Sequence, residues 1–265
     1  MSIKKRRTLL EKFFYILYNI RMKRVLLTIS YDGTNFFGWQ KQADKRTVQG
    51  EIEKAIEIVA GKNCEVFGSG RTDAGVHALA QMAHFDLPVD IPISRLADVL
   101  NSLLPGDIAI IKAEEVDKDF HARFSVKRKC YQYRVYVGKE KDPFMAHRMG
   151  WVKYPLDDQK MVEAGKLLVG KHNFKGFCSS ATCTSDYERQ IFSIDISHEG
   201  DFYYFNIEGS GFLYNMVRII VGTLVDVGRG KLSLESVKEA LAKGDRSKAG
   251  ITMPAGGLYL KYAKY

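Results

Sequence analysis

The sequence has few cysteines, and their spacing excludes the common cysteine-based sites. Only four occur among 265 residues, and the six histidines are also scattered. No cysteine pair has the spacing of a zinc or dithiol redox site, and no His-Glu-x-x-His segment is present. We therefore expect no bound metal, and we interpret all four cysteines as free thiols: Cys64, Cys130, Cys178 and Cys183.

Long apolar runs and nucleotide-binding glycine motifs are also missing. The longest apolar run, from Met216 to Val227, contains two charged residues and a glycine, and it falls short of the roughly 20 residues that a membrane helix needs. The glycines near residue 70 form neither a G-x-G-x-x-G segment before a helix nor a Walker sequence. We expect no transmembrane helix and no bound cofactor.

The net charge of +9 is unevenly distributed along the chain. Residues 1–21 hold six basic residues against Glu11 alone, a net of +5, which leaves +4 for the rest. Net charge therefore does not identify a nucleic-acid partner. Charged residues interrupt the apolar positions of this segment and no small-residue cleavage site follows, which argues against a signal peptide. Either residues 1–21 form a basic N-terminal extension, or translation begins at Met22.

With 46% hydrophobic residues the chain can bury a proper core, and residues 22–120 alternate between strand and helix patterns. A helix is predicted from about Thr47, and Ser94 has the character of an N-cap for a second helix. Strand patterns occupy residues 25–30, 65–68, 78–87 and 107–116. The resulting order, βαββαβ, is typical of the ferredoxin-like unit, which carries its helices on one face of an antiparallel sheet.

Residues 121–265 repeat a similar order. Strand patterns occupy residues 131–137, 149–154 and 258–262, with a hairpin around 198–201. Helical patterns run over 157–168, across the apolar stripe of 213–225, and after Ser233. We predict an α+β fold of two ferredoxin-like lobes with antiparallel sheets, covering residues 22–120 and 121–265.

A glycine-rich loop from Gly68 to His77 places a carboxylate beside an arginine. Its three glycines permit backbone conformations that other residues avoid. In such a loop Asp73 can act as a nucleophile or base, and Arg71 can contact phosphate or substrate. An aspartate in a glycine-rich turn often only caps the loop backbone, so the residues alone leave both interpretations open.

The segment Gly70-Arg71-Thr72-Asp73-Ala74-Gly75-Val76-His77-Ala78 resembles the signature of the TruA family of tRNA pseudouridine synthases, and the similarity covers nearly the whole chain after residue 21. The other matching segments are Tyr31–Thr34, Gly38–Gln40, Arg46–Gly50, Asn101–Pro105, Phe120–Phe124, His172–Phe174, Gly211–Leu213, Met216–Arg218 and Gly256–Leu258. The resemblance implies the pseudouridine synthase fold with a central RNA-binding cleft. It also implies a homodimer in the cytoplasm that needs neither cofactor nor metal, and uridines 38, 39 and 40 of the tRNA anticodon stem-loop as substrates.

The resemblance also assigns roles to individual residues. Asp73 is the nucleophile, attacking either C6 of the uracil or C1′ of the ribose, and Arg218 keeps it ionised by lowering its pKa. The ring of Tyr131 stacks on the uracil and its hydroxyl handles the C5 proton. Leu258 forms an apolar wall beside the base.

A uridine in a paired stem must be flipped out of the helix before an enzyme reaches it. We assign Arg71 as a wedge or phosphate contact, and Arg123 and Lys129 as contacts to the RNA backbone. Sheet packing for Tyr131, core packing for Leu258 and solvated positions for the basic residues remain open. The alternative function is a non-catalytic RNA-binding protein, although its RNP-type aromatic motif is missing. Zinc nucleobase deaminase signatures are also absent.

Overall fold

The computed structural model describes residues 22–179 and 185–265, and this part of the chain contains ten strands and five α-helices. The strands are β1 (Lys23–Tyr31), β2 (Phe67–Gly68), β3 (His77–Leu87), β4 (Ile108–Val116), β5 (Arg128–Val137), β6 (Gly150–Val152), β7 (Gly170–Asn173), β8 (Glu188–Glu199), β9 (Phe202–Gly209) and β10 (Leu258–Lys264). The helices are α1 (Val48–Ala60), α2 (Ile93–Asn101), α3 (Asp158–Leu168), α4 (Met216–Gly228) and α5 (Leu234–Lys243).

The strands of both lobes form one continuous sheet. Its order is β4-β1-β3-β10-β5-β9-β8-β7, with β2 paired to β3 and β6 paired to β5. The last strand joins the lobes because β10 lies parallel to β3, with Tyr259 opposite His77, and antiparallel to β5. The predicted α+β class and the βαββαβ order of the first lobe are confirmed, but the two expected sheets are merged into one.

Three helices begin where the sequence predicts, and each has a side-chain cap. The side chains of Thr47, Asp157 and Ser233 each accept the backbone N–H of the residue three positions further on. Such caps satisfy N–H groups that have no partner within the helix, so the boundary is encoded locally.

The prediction for the start of α2 is wrong by two residues. Pro92, rather than Ser94, occupies the N-cap position, and its carbonyl accepts the N–H of Arg95 at 2.9 Å. Proline suits a helix start because it has no N–H to leave without a partner. The helix ends at Asn101.

Helix α4 lies in the core, and Arg218 is its one residue that is not buried. The segment after α5 crosses this helix closely: the N–H of Gly250 donates to Thr223 Oγ1 at 2.8 Å. A side chain at Gly222 would collide with the carbonyl of Ile251. The small residue therefore lets residues 250–253 pack directly on α4, next to Arg218.

The structure bears on two further expectations. Within residues 22–179 and 185–265, no helix is long and apolar enough to cross a membrane. Cys64 and Cys130 are buried free thiols, as predicted. Cys183 and the whole segment 1–21, interpreted above as a basic extension or a start-site artefact, lie outside the described residues.

Candidate active site

A cleft of about 600 Å³ lies between the loop from Gly68 to His77 on one side and β5, β10 and residues 212–217 on the other. Six of the seven residues assigned to the site line it: Arg71, Asp73, Arg123, Lys129, Tyr131 and Leu258. The structure therefore brings these residues, which are distant in sequence, together at one cleft. The seventh residue, Arg218, lies behind the residues that line the cleft.

The loop that carries Asp73 is fixed from one side by residues 36–39. The N–H of Trp39 donates to the carbonyl of Thr72 at 3.0 Å. Gly38 has a φ of +88°, and a Cβ on it would lie 2.6 Å from that same carbonyl oxygen. Only glycine permits both this backbone conformation and this close approach. The hydroxyls of Thr72 and Tyr31 also hydrogen-bond at 2.7 Å in the core.

The loop turns sharply after the aspartate. The N–H of Val76 donates to the carbonyl of Asp73 at 3.1 Å, and the N–H of Gly75 donates to Phe36 O at 3.3 Å. Gly75 has a φ of +77°, in the region that favours glycine. These backbone contacts leave the Asp73 side chain at the cleft surface while its main chain is held on both sides.

The start of the loop is held by β3 and β5. The hydroxyl of buried Ser69 donates to Gln81 Oε1 at 2.7 Å, and Gln81 Nε2 donates to the carbonyl of Gly70 at 2.8 Å. Lys129 Nζ donates to Ser69 O at 2.6 Å. Burial, followed by the charge of Arg123, lowers the pKa of Lys129 to about 8. Its ammonium therefore supports the Gly68–His77 loop through this hydrogen bond.

Asp73 is half-buried, and its carboxylate has no hydrogen bond or ion pair among the described residues. Burial raises its pKa above the ordinary value, because removing water disfavours the charged form. The positive charge of Arg218 lowers the pKa but does not outweigh burial. Arg218 thus lowers the pKa of Asp73 as expected, but desolvation is the larger effect in this cleft and the net shift is upward.

Arg218 is neither a solvated arginine nor a direct partner of the aspartate. Its Nε donates to Met253 O at 2.6 Å and its Nη1 donates to Asn215 Oδ1 at 2.7 Å. Asn215 precedes α4 in a left-handed conformation, with a φ of +59°. The guanidinium is thus fixed behind the cleft, where its charge still acts on Asp73.

The ring of Tyr131 forms part of the cleft wall and is only 8% exposed. Phe212 meets it edge-on, with ring centroids 5.2 Å apart. Burial raises the pKa of Tyr131, and the charges of Tyr31 and Asp73 add to the effect, so its hydroxyl stays protonated at neutral pH. Tyr133 on the same strand face is instead a core residue, and its hydroxyl donates to Pro254 O at 2.7 Å. Residue spacing alone does not distinguish these two tyrosines.

Leu258 begins β10 opposite Tyr133 and is buried at the edge of the cleft. Leu258 therefore packs in the core and also forms part of the cleft wall.

Arg71 and Arg123 are exposed. Arg71 Nε donates to Gln40 Oε1 at 3.1 Å, and neither guanidinium forms an ion pair among the described residues. Both cations are therefore available to an anionic ligand at the cleft mouth.

Sequence reasoning gave no role to several residues that build the site. Trp39, which lies buried beneath the loop, and Phe212, which packs on Tyr131, belong to segments quoted above only as family matches. Asn215, which holds Arg218, has no motif of its own beyond its position before α4. In the part of the chain that the structure describes, no group of three or more His, Cys, Asp or Glu side chains is arranged to hold a metal.

Comparisons with known proteins show which family this chain resembles. The model of the tRNA pseudouridine synthase family matches residues 27–125 and 164–265. tRNA pseudouridine synthase A of Anoxybacillus flavithermus is 49% identical over 245 residues, which cover 92% of this chain and 99% of the relative. The protein of the same name from Bacillus subtilis is 49% identical over 239 residues, covering 89% and 97%. Among solved structures, the archaeal box H/ACA sRNP Nop10–Cbf5 complex is similar over 82% of this chain and 46% of that chain, with a TM-score of 0.35 and 12% identity.

Proposed function

This chain belongs to the tRNA pseudouridine synthase family, and from that premise we propose that it converts uridine to pseudouridine at positions 38, 39 and 40 of the tRNA anticodon stem-loop. Asp73 is the nucleophile in this proposal. The observation that carries it is the Asp73 carboxylate, half-buried in the cleft and without a hydrogen bond or ion pair among the described residues. A carboxylate kept clear of internal partners is available to a substrate.

The reaction is balanced without any added group. Asp73 attacks C1′ of the ribose or C6 of the uracil, and the N1–C1′ bond breaks. The uracil turns in the cleft, C5 bonds to C1′, and the proton on C5 is lost while N1 gains one. Reactant and product are isomers, so no electron or functional group enters or leaves.

The side chains around Asp73 suit these steps. Tyr131 stacks on the uracil, and its hydroxyl, kept protonated by burial, relays the C5 proton: the phenol oxygen accepts that proton as the hydroxyl releases its own to solvent. Leu258 limits the space in which the freed base turns. Arg218 acts through its charge: it counteracts the burial that raises the pKa of Asp73, and so increases the ionised fraction of the nucleophile.

The exposed cations suit a substrate that must be flipped out of a stem. Arg71 is adjacent to the catalytic loop and exposed, which fits a wedge or phosphate contact. Arg123, which is also exposed at the cleft, contacts the RNA backbone. Lys129 contributes positive charge inside the cleft, and its hydrogen bond to Ser69 O couples that charge to the catalytic loop.

The family resemblance also leads us to propose a homodimer that acts in the cytoplasm. Nothing in the described surface carries this part of the proposal. Light scattering tests it directly: the dimer requires a mass twice the 30.0 kDa of the chain, and a fully active monomer contradicts it.

The test of the reaction uses tRNA transcripts carrying tritium at C5 of uridine. The wild-type protein is expected to release tritium to water and to form pseudouridine at positions 38–40, as mapped by reverse transcription after carbodiimide treatment. Asp73→Asn is expected to fold and bind tRNA but release no tritium, because the amide keeps the shape of the carboxylate without its nucleophilic oxygen. Asp201→Asn, the same change on the exposed β8–β9 hairpin, is the matched control.

Substantial turnover by Asp73→Asn contradicts the role of the aspartate. Pseudouridine elsewhere in tRNA contradicts the proposed positions. Binding of tRNA by the wild-type protein without any isomerisation supports the alternative of a non-catalytic RNA-binding protein.

A further inference from the structure

One rim of the cleft carries a cluster of four rings that the reaction does not use: Phe67, His84, His121 and Phe124. Ring centroids lie 5.2 Å apart for Phe67 and His84, 4.6 Å for His84 and His121, and 4.4 Å for His121 and Phe124. Phe67 and His121 are 5.5 Å apart. The cluster is continuous from the core to the solvent.

Exposure increases outward along this cluster. His84 is buried, Phe67 is 38% exposed, and Phe124 is 76% exposed at the outer end. Phe67, His121 and Phe124 line the same cleft as Asp73. The outermost ring thus presents a large apolar surface to water at the mouth of the active site.

The turn that presents Phe124 is held firmly. The N–H of Ala122 donates to His84 Nδ1 at 3.1 Å, and the hydroxyl of Tyr265 donates to Ala122 O at 3.0 Å. The N–H of Phe124 donates to His121 O at 3.1 Å. The ring is therefore exposed on a backbone that is fixed before any ligand arrives, which lowers the entropic cost of binding.

Arg123 adds a cation beside this ring. Its Cζ lies 5.8 Å from the centroid of Phe124, and its guanidinium forms no ion pair in residues 22–179 and 185–265. An aromatic face next to a cation that has no acidic partner matches a nucleotide, whose base stacks and whose phosphate carries negative charge. An apolar partner would leave Arg123 without a counter-charge.

We infer that Phe124, supported by His121 and Phe67, stacks on an unpaired nucleobase next to the target uridine while Arg123 binds its phosphate. This inference rests on the proposed function, because it assigns a second part of the same RNA substrate to the same cleft. The subsite is tolerant of base identity, since every base has a π face. It positions the RNA strand and takes no part in bond making.

The first experiment locates the stacked base. Anticodon stem-loops carry 2-aminopurine at one loop position at a time, and are bound to the inactive Asp73→Asn protein. Stacking on Phe124 is expected to quench the fluorescence at one position beside the target. The quenching is expected to disappear in Asp73→Asn/Phe124→Ala and to persist in Asp73→Asn/Phe124→Tyr. Phe144→Ala in the same background removes an 86% exposed phenylalanine that does not line the cleft, and is expected to keep the quenching.

The second experiment measures kinetics with otherwise wild-type protein. Phe124→Ala is expected to raise KM about ten-fold, which corresponds to the loss of one base–aromatic stack, with little change in kcat. Phe124→Tyr is expected to restore KM. Arg123→Gln is expected to raise KM and to reduce the slope of log KM against log salt by about one, the signature of one phosphate contact, whereas Phe124→Ala leaves that slope unchanged.

The outcomes separate this subsite from the proposed function. If the wild-type protein forms pseudouridine but Phe124→Ala keeps both the quenching and the KM, the subsite is wrong and the function stands. If the wild-type protein forms none, the function fails, and the fluorescence experiment alone still decides whether Phe124 stacks on RNA. A fall in kcat for Phe124→Ala at unchanged KM also overturns the inference.

Discussion

The charge of Arg218 lowers the pKa of Asp73, although the two side chains form no hydrogen bond or ion pair. The guanidinium donates to Met253 O at 2.6 Å and to Asn215 Oδ1 at 2.7 Å, and the carboxylate forms no ion pair among the described residues. A direct pair would lower the pKa of Asp73 further, but it would also occupy a carboxylate oxygen, which is the attacking atom in the proposed reaction. The observed arrangement keeps the charge nearby and leaves the carboxylate without a hydrogen-bond partner among the described residues.

Arg218→Gln is expected to move the acid limb of the pH profile of kcat/KM to higher pH. Burial already raises the pKa of Asp73, and the charge of Arg218 lowers it. The reactive form is ionised, so activity falls as the pH drops through this pKa, and removing the cation raises the pKa further. On the acid side, the ionised fraction falls about ten-fold for every increase of one in the pKa of Asp73.

Arg218→Lys separates the charge from the geometry. It keeps a positive charge but cannot reproduce the two-point contact of the planar guanidinium, so turnover is expected to fall strongly. The profile of kcat/KM between about pH 4 and 8 reports the free enzyme and checks both variants. An acid limb in Arg218→Gln that superimposes on that of the wild-type protein contradicts the electrostatic role.

Lys129 is expected to set an alkaline limb near pH 8. Burial lowers its pKa to about 8, so the ammonium that donates to Ser69 O loses its charge as the pH rises through that value. Activity is expected to decline there, because the hydrogen bond to the catalytic loop weakens and the cleft loses a cation. Lysine labelled with ¹³C at Cε gives the pKa directly by NMR.

The matched variants are Lys129→Arg, which stays charged at high pH, and Lys127→Arg, the same change at an exposed position. Lys129→Arg is expected to remain active to higher pH than the wild-type protein, and Lys127→Arg is expected to behave like the wild-type protein. An NMR titration of Lys129 near the ordinary lysine value would remove the basis for this prediction.

Sequence patterns were sufficient where the interactions are local. Thr47 and Ser233 cap their helices through the residue three positions on, so a short segment contains the whole signal. The insertion of β10 between β3 and β5 joins residues far apart in the chain, and alternation within a strand does not encode its neighbours. This is why two sheets were expected where one is found.

The same limit applies to the site. The Gly68–His77 loop and Tyr131 were identified through motifs and the family resemblance, and both line one cleft. The hydrogen bonds that position the charged groups join residues that are distant in sequence. Arg218 donates to Met253 O, and Lys129 donates to Ser69 O. The expected lowering of the Asp73 pKa by Arg218 is present, but the net direction also depends on burial, which a motif does not specify.

Gly38→Ala and Gly61→Ala separate backbone strain from displacement of the catalytic loop. Both glycines have positive φ, +88° and +69°, so alanine costs roughly 1–2 kcal/mol at either position. A Cβ at Gly61 meets nothing within 4 Å, whereas one at Gly38 lies 2.6 Å from Thr72 O. Only the second change pushes against the residue that precedes Asp73.

Gly61→Ala is therefore expected to lower the free energy of unfolding by about 1 kcal/mol and to leave kcat unchanged. Gly38→Ala is expected to cost more and to reduce kcat by about a hundred-fold, because a shift near 1 Å misplaces the nucleophile. Urea denaturation gives the stabilities, and kcat is measured at saturating tRNA on folded protein. Equal losses of stability with unchanged kcat in both variants would mean that the loop adapts, and that residues 36–39 do not position Asp73.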